Sequence, residues 1–265
     1  MTSLTVRQRI TNALLFYPER GQSRTPSQLG LPFEAVKLTA PDGVRTDAWW
    51  IPAEVGQDEA APAVIFFHGN AGTMADRLDN AVLLHQLGLS LLMVEYRGYG
   101  DCEGAPTEEG IAADADAALA EARRRAEGAP VMLVGRSLGG AVAIGLAARH
   151  PVDGLIVEST FTSLREMAGG TGIPLAATVV AYRFESIELI ARIRAPILII
   201  HGDRDELIPF EMGTRLRTAA KASPEVRFHP VMGGTHNDTW VRGGEPYWGA
   251  WRSFVDHVRT TNDDG

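Results

Sequence analysis

Three residue types in this chain have the spacing and setting for acyl-transfer chemistry. Ser137 lies in Gly135-Arg136-Ser137-Leu138-Gly139, after the apolar run from Val131 to Val134 and before an Ala- and Gly-rich segment that reads as helix through Arg149. A strand that turns straight into a helix strains the residue at its apex, and side chains two places either side collide unless they are very small. Gly135 and Gly139 fill those places. Such a turn lifts the Ser137 hydroxyl out of the sheet toward a cleft and leaves the Leu138 N–H facing it at a helix N-terminus.

A serine hydroxyl is a weak nucleophile at neutral pH and needs a base to take its proton, and the base needs an acid to hold its tautomer. Of the 7 histidines, His236 stands in Gly233-Gly234-Thr235-His236-Asn237-Asp238, a loop just past a strand at 226–230 and so on the same rim as Ser137. His201 closes a strand and reads as structural, and His68 belongs to a different motif. His85, His150, His229 and His257 fall in helices, at a helix end or in a strand. In chain order the acid belongs between serine and histidine. Asp205 is the choice, in Gly202-Asp203-Arg204-Asp205-Glu206-Leu207-Ile208-Pro209 right after a strand; Asp203 reads instead as a turn residue paired with Arg204.

The remaining requirement is an anion hole. His68-Gly69-Asn70-Ala71-Gly72 follows the strand at 63–67, and its glycines let backbone N–H groups approach a substrate oxygen. The Asn70 and Leu138 N–H groups are the expected pair, each worth about 3 to 4 kcal/mol to a transition state. A phosphate cradle is the alternative for that loop, but the Lys-Ser/Thr ending of a P-loop is missing.

These residues need a scaffold that brings strand ends together. Glu34–Thr39 and Val44–Ile51 read as an antiparallel hairpin turned at Pro41-Asp42-Gly43. From residue 63 onward strands alternate with helices: strands at 63–67, 91–95, 131–134, 155–158, 197–201 and 226–230, helices at 75–87, 107–126, 138–149, 210–220 and 247–259. That alternation predicts a parallel sheet covered on both faces, with the ligand beyond the carboxyl ends of its strands. Val6, Ile10, Ala13, Leu14 and Tyr17 recur at helical spacing, so residues 3–16 form a short amphipathic helix expected to pack on the body rather than rest on a membrane. With no repeat, low-complexity tract or linker, residues 1–265 are expected to form a single domain with a helical extension over about 1–18.

The chain of 265 residues carries 33 acidic and 25 basic side chains, a formal net charge of −8 with no basic run, which argues against a nucleic-acid partner. The single cysteine, Cys102, excludes an intramolecular disulfide and a Cys-based zinc site, and reads as a free thiol in a reducing compartment or a small residue in a turn. Nothing approaches eighteen uninterrupted apolar residues, and residues 1–18 lack the features of a secretory signal, so the expected location is cytoplasmic.

Together the strings resemble those of the α/β-hydrolase superfamily: Gly135 to Gly139 its nucleophile elbow, His68-Gly69-Asn70 its oxyanion loop, Gly202 to Pro209 its acid loop. Arg97-Gly98-Tyr99-Gly100, Ser159-Thr160-Phe161-Thr162-Ser163 and His236-Asn237-Asp238-Thr239-Trp240 are similar to a subgroup that includes membrane-tethered protein depalmitoylases. Many of those relatives begin with a hydrophobic anchor; this chain starts beyond its place, so tethering is not carried over. Glu95 stands where an aspartate is common, a minor structural change. The resemblance implies the α/β-hydrolase fold and a hydrolase acting without cofactor or metal on a small or acylated ester or thioester. Ser137 would attack, His236 would accept its proton, and Asp205 would stabilise the imidazolium, with the Asn70 and Leu138 amides on the oxyanion.

Residues 161–194 fall where this fold carries a cap. Met167, Ile173, Pro174, Leu175, Val179, Val180, Tyr182 and Phe184 make it apolar, suited either to an acyl chain or to packing on the domain. Trp240 is expected to lock the histidine loop onto the body rather than wall the pocket. Arg136 is expected in a structural salt bridge, with a substrate carboxylate as the alternative. A peptidase of the same fold and a non-catalytic binding protein are the competing functions; the chain shows no added domain for the first, and the ordered Ser, Asp and His argue against the second.

Overall fold

Strands β4 (Ala63–Phe67), β6 (Ser90–Val94), β7 (Val131–Arg136), β8 (Gly154–Glu158) and β9 (Ile197–Gly202) are buried at every position. Strands of that kind need a covering layer on each face of their sheet. The computed structural model describes residues 4–54, 61–170, 178 and 180–263. In it these strands join β2 (Glu34–Thr39), β3 (Arg45–Ile51) and β10 (Val226–Val231) in one eight-stranded sheet of order β10-β9-β8-β7-β4-β6-β3-β2. All pairs are parallel except at one edge, where β3 runs antiparallel to both β6 and β2. That edge is the expected hairpin, and Gly43 at its turn takes φ +83.

The two faces have separate cores. On one, α3 (Glu108–Ala126), α4 (Leu138–Arg149) and α7 (Phe210–Ala219) pack on Ile65, Leu133, Val157 and Ile199. On the other, α2 (Leu78–His85) and α8 (Gly244–Asp263) pack on Val64, Met93, Met132 and Ile156. Helix α3 shows why the sequence folds as it does. Thr107 Oγ1 accepts the Gly110 N–H at 2.9 Å as an N-cap, and Ala115, Ala118 and Ala122 make a small-residue face that sits closely on the sheet. The expected helix at 75–87 divides into a 3-10 turn, Met74–Arg77, and α2. The 161–194 stretch contains α5 (Leu164–Gly170) and α6 (Ser186–Ile190). Among the described residues no helix is long and apolar enough to cross a membrane.

Two features of the N-terminal segment were not expected. A short strand, β1 (Tyr17–Pro18), pairs in parallel with β5 (Ala71–Gly72), immediately beyond the His68-Gly69-Asn70 string. Helix α1 (Val6–Leu15) does lean on the body, but with its polar face. Arg7 donates to the carbonyls of Thr178 and Val180 at 2.9 and 2.5 Å, Thr11 Oγ1 accepts the Ala181 N–H at 2.9 Å, and Asn12 Oδ1 accepts the Tyr182 hydroxyl at 2.7 Å. The chain it packs against is irregular at 180–185, so its backbone groups need partners from outside the segment, and the polar side chains of α1 supply several of them. Val6 and Leu14, read as the packing face, are 75% and 70% exposed.

Candidate active site

Ser137 sits between β7 and α4 with φ 55 and ψ −119, a backbone region that costs a non-glycine residue about 1 to 3 kcal/mol. The flanking glycines are required by contact. A Cβ on Gly135 would collide with the Gly139 carbonyl, and one on Gly139 with the carbonyls of Phe67 and His68. The strained turn is fastened to the next strand. The Ser137 N–H donates to the Glu158 carbonyl at 2.9 Å, and its own carbonyl accepts the Thr160 hydroxyl at 2.8 Å.

Beyond the ends of β9 and β10 lie Asp205 and His236. Asp205 Oδ2 is 2.9 Å from His236 Nδ1, and Oδ1 accepts the N–H groups of Leu207 and Ile208 at 3.0 and 2.8 Å. Burial raises the Asp205 carboxyl, but hydrogen bonds from His201, His236 and the Ile208 amide outweigh it and hold the group far below the usual carboxylate range. An ionised carboxylate only accepts, so the proton of the shared bond belongs to Nδ1 and His236 keeps Nε2 as its basic nitrogen. Among the described residues no hydrogen bond joins the Ser137 hydroxyl to His236. Bonds of this kind commonly tighten only once substrate is present.

The His68-Gly69-Asn70 loop, the expected oxyanion loop, runs against the Ser137 turn: a Cβ on Gly69 would lie 3.6 Å from that of Ser137. The Asn70 carbonyl accepts the Tyr17 N–H at 3.0 Å and the Tyr99 hydroxyl at 2.8 Å, and its side chain donates to the Leu15 carbonyl at 2.7 Å. Leu138 is the first residue of α4, so its N–H has no acceptor within the helix. His68, fully buried, pairs with Glu95 at 2.7 Å. Glu95 also accepts from Gln22 at 2.9 Å and from the Met74 N–H at 3.0 Å. Burial raises its carboxyl, yet His68 and these donors bring it below its ordinary value. Glu95 is thus a hub under the His68-Gly69-Asn70 loop.

The histidine loop is held from both sides. Asp203 accepts the Gly233 N–H at 2.5 Å, in place of the expected local pairing with Arg204, and Glu206 accepts the His236 N–H at 3.1 Å. Trp240 packs on the core of its face. In the cap region Tyr182 and Phe184 are buried in the core, with Met167 and Val180 packed against it; Ile173, Pro174, Leu175 and Val179 lie outside the described residues.

A family model described as serine aminopeptidase matches residues 58–189. The α/β-hydrolase domain-containing protein WAV2 of Arabidopsis thaliana is 37% identical over 252 residues, 88% of this chain and 81% of that one. The chain belongs to the α/β-hydrolase family. Two solved structures agree with this α/β-hydrolase in fold. An esterase of Pyrococcus furiosus, Pf2001, aligns with TM-score 0.74 at 21% identity, covering 91% of this chain and 99% of that one. A puromycin-hydrolyzing peptidase of Mycobacterium tuberculosis aligns with TM-score 0.71 at 18% identity, covering 86% of this chain and 39% of that one.

Sequence reasoning missed several members of this α/β-hydrolase's site. Glu206 holds the backbone of His236, and Glu158, Thr239 and Tyr247 form a buried polar cluster beside it. His201 Nε2 lies 3.4 Å from Asp205 and 2.9 Å from the Ile208 carbonyl, so it buttresses the acid loop as well as closing its strand. Glu158 carried a usable signal, a lone acid ending a wholly apolar strand.

Proposed function

We propose that this α/β-hydrolase is a serine hydrolase that cleaves a carboxylic ester or thioester through an acyl-enzyme. The reading rests on the Asp205–His236 bond of 2.9 Å beside a serine held at φ 55. Ser137 Oγ attacks the acyl carbonyl as its proton passes to His236 Nε2, and Asp205 stabilises the imidazolium formed. The Asn70 and Leu138 amides receive the oxyanion. As the carbon–oxygen or carbon–sulfur bond breaks, the imidazolium protonates the departing alcohol or thiol. A water molecule then gives its proton to His236 and its oxygen to the acyl carbon, and the free acid leaves as Ser137 regains its proton.

The test is labelling by a fluorophosphonate probe. The wild-type protein takes the label and Ser137→Ala does not; labelling that persists in the variant removes Ser137 from the nucleophile's place. A panel of p-nitrophenyl esters and acyl-thioesters of increasing chain length then separates the substrate classes. The resemblance to depalmitoylases favours long-chain thioesters, and preference for short acyl groups would set that part aside. The serine-aminopeptidase family model makes aminoacyl amides the control: turnover of these above the esters would favour the peptidase reading.

A further inference from the structure

Arg136, the residue before the nucleophile, is committed inward. It and Glu158 end adjacent parallel strands as register partners, and their side chains are 10% and 8% exposed. Arg136 Nη2 donates to the backbone carbonyl of His236 and, at 3.1 Å, to Asn237 Oδ1. Its Nε is 3.6 Å from Glu158, which in turn accepts the hydroxyls of Tyr247, at 2.7 Å, and Thr239. Nη2 is thus committed to the His236 loop, and Nε, buried without a hydrogen-bond partner among the described residues, faces the Glu158 carboxylate below the rim, a setting that disfavours the alternative of a substrate carboxylate as its partner.

We infer that Arg136 is a positioning residue that holds the His236 imidazole in register with Ser137. The inference deepens the serine-hydrolase reading and rests on it. The loop is fixed as far as Gly234, whose N–H donates to the Val231 carbonyl at 3.0 Å and whose carbonyl accepts the Arg204 N–H at 2.9 Å, but among the described residues no backbone–backbone bond ties His236 itself. The Asp205 bond to Nδ1 aligns the ring but leaves the Cα free to swing about that bond. The remaining backbone groups of His236 are tied from opposite sides, the N–H to Glu206 at 3.1 Å and the C=O to Arg136. Because Arg136 is covalently next to Ser137, nucleophile and base are referred to one strand end. A proton transfer that must run in both directions from one seat depends on that geometry, and a displacement of about 1 Å can cost about a hundredfold in rate. Lysine could serve the carbonyl and Asn237 from one ammonium, as Nη2 does, but it lacks the planar group that also sets Nε against Glu158, so it should replace arginine only in part.

The experiment compares wild type, Arg136→Met, Arg136→Lys and Asn237→Ala for thermal midpoint, for active sites titrated with the fluorophosphonate, and for kcat per titrated site and KM on a p-nitrophenyl ester. Expected is a fall in kcat per site of about 30-fold for Arg136→Met, about 10-fold for Arg136→Lys and about 3-fold for Asn237→Ala, with KM within about twofold. A prop of the fold alone would lower the thermal midpoint and the number of active sites and leave kcat per site unchanged; that result overturns the inference. Should Arg136→Met not fold, Arg136→Lys and Asn237→Ala decide by the same measure. A wild-type protein that takes no label overturns the serine-hydrolase reading itself, and this inference with it.

Discussion

The two flanks of Ser137 are built on different principles. On the side of the proposed oxyanion hole, His68, Tyr96 and Tyr99 are buried to within 1% and meet ring against ring at centroid distances of 4.4 to 5.7 Å. The Asn70 carbonyl hangs from that cluster and from the N-terminal strand. On the side of the proposed base, the loop carrying His236 is partly exposed, with Met232 at 74%, and is held by individual hydrogen bonds: its N–H groups donate to Asp203, Val231, Asp238 and Glu206, and its carbonyls accept from Arg204 and Arg136. Amide donors need only stay where the oxyanion will form, and close packing achieves that. A base must accept and return a proton, so its ring has to stay open on one edge while its backbone is fixed. Polar ties to the backbone meet both demands, at the cost of a flank more sensitive to single substitutions.

The largest effect should therefore fall on the base side. Asp205→Asn is expected to lower kcat by about 10⁴-fold, because an amide no longer secures the Nδ1–H tautomer. Asp203→Asn retains an acceptor for Gly233 and should change kcat by less than about threefold. Equal losses from the two would return the choice of acid to open question. Asp205 also carries a stability signature. Its carboxyl is depressed in the folded state, so its contribution is fully present above the ordinary unfolded value of about 3.9 and is lost as pH falls below it. Urea titrations at successive pH values from 5 to 3 should show a steeper loss of stability in the wild type than in Asp205→Asn; parallel curves would contradict the depressed carboxyl.

Next comes the elbow that both flanks share. Gly139→Ala sets a methyl group against the carbonyls of Phe67 and His68 and should destabilise the fold by about 3 kcal/mol, read as a lower denaturant midpoint. A variant of unchanged midpoint would mean that β4 can yield, and that the oxyanion flank is less rigid than its packing implies.

The order of strands and helices was legible because burial writes itself into composition: β4, β7 and β8 are apolar runs that only a doubly covered sheet accommodates. The elbow was legible for a related reason, since the glycines at 135 and 139 answer a steric demand that is local to the chain. What stayed hidden depends on partners distant in sequence. Nothing near Arg136 announces that a carbonyl 100 residues later will lie under its guanidinium. The inward face of α1 was misread because apolar periodicity indicates a packing face only when the opposing surface is apolar. There it is irregular backbone around Ala181, which calls for donors and acceptors. Likewise β1 is two residues long, too short for any periodicity to show.

A smaller effect on the oxyanion side sharpens the contrast. Tyr99→Phe removes the 2.8 Å bond to the Asn70 carbonyl but leaves the Tyr17 N–H on it, so about 1 kcal/mol and no more than about fivefold in kcat should be lost. A loss of a hundredfold would show that flank to depend on single bonds as the other does.

The smallest effect tests rigidity without touching the chemistry. Cys102 closes the turn beyond Tyr99, its N–H donating to the Tyr99 carbonyl at 2.9 Å and its Sγ accepting the Asp47 N–H at 3.2 Å. Burial pushes its thiol up to about 12, against which that amide does too little. Alkylation needs the thiolate, so iodoacetamide at pH 8 should reach Cys102 only when the flank opens. In a core held by packing, that opening is global unfolding, and the labelling rate should fall on the same denaturant dependence as loss of structure. Backbone amides of residues 233–236 should exchange through openings far smaller in free energy, each lying behind one bond. Labelling of Cys102 within minutes and without denaturant dependence would place both flanks in the same class, leaving packing with no claim to hold the oxyanion donors more firmly than hydrogen bonds hold the base.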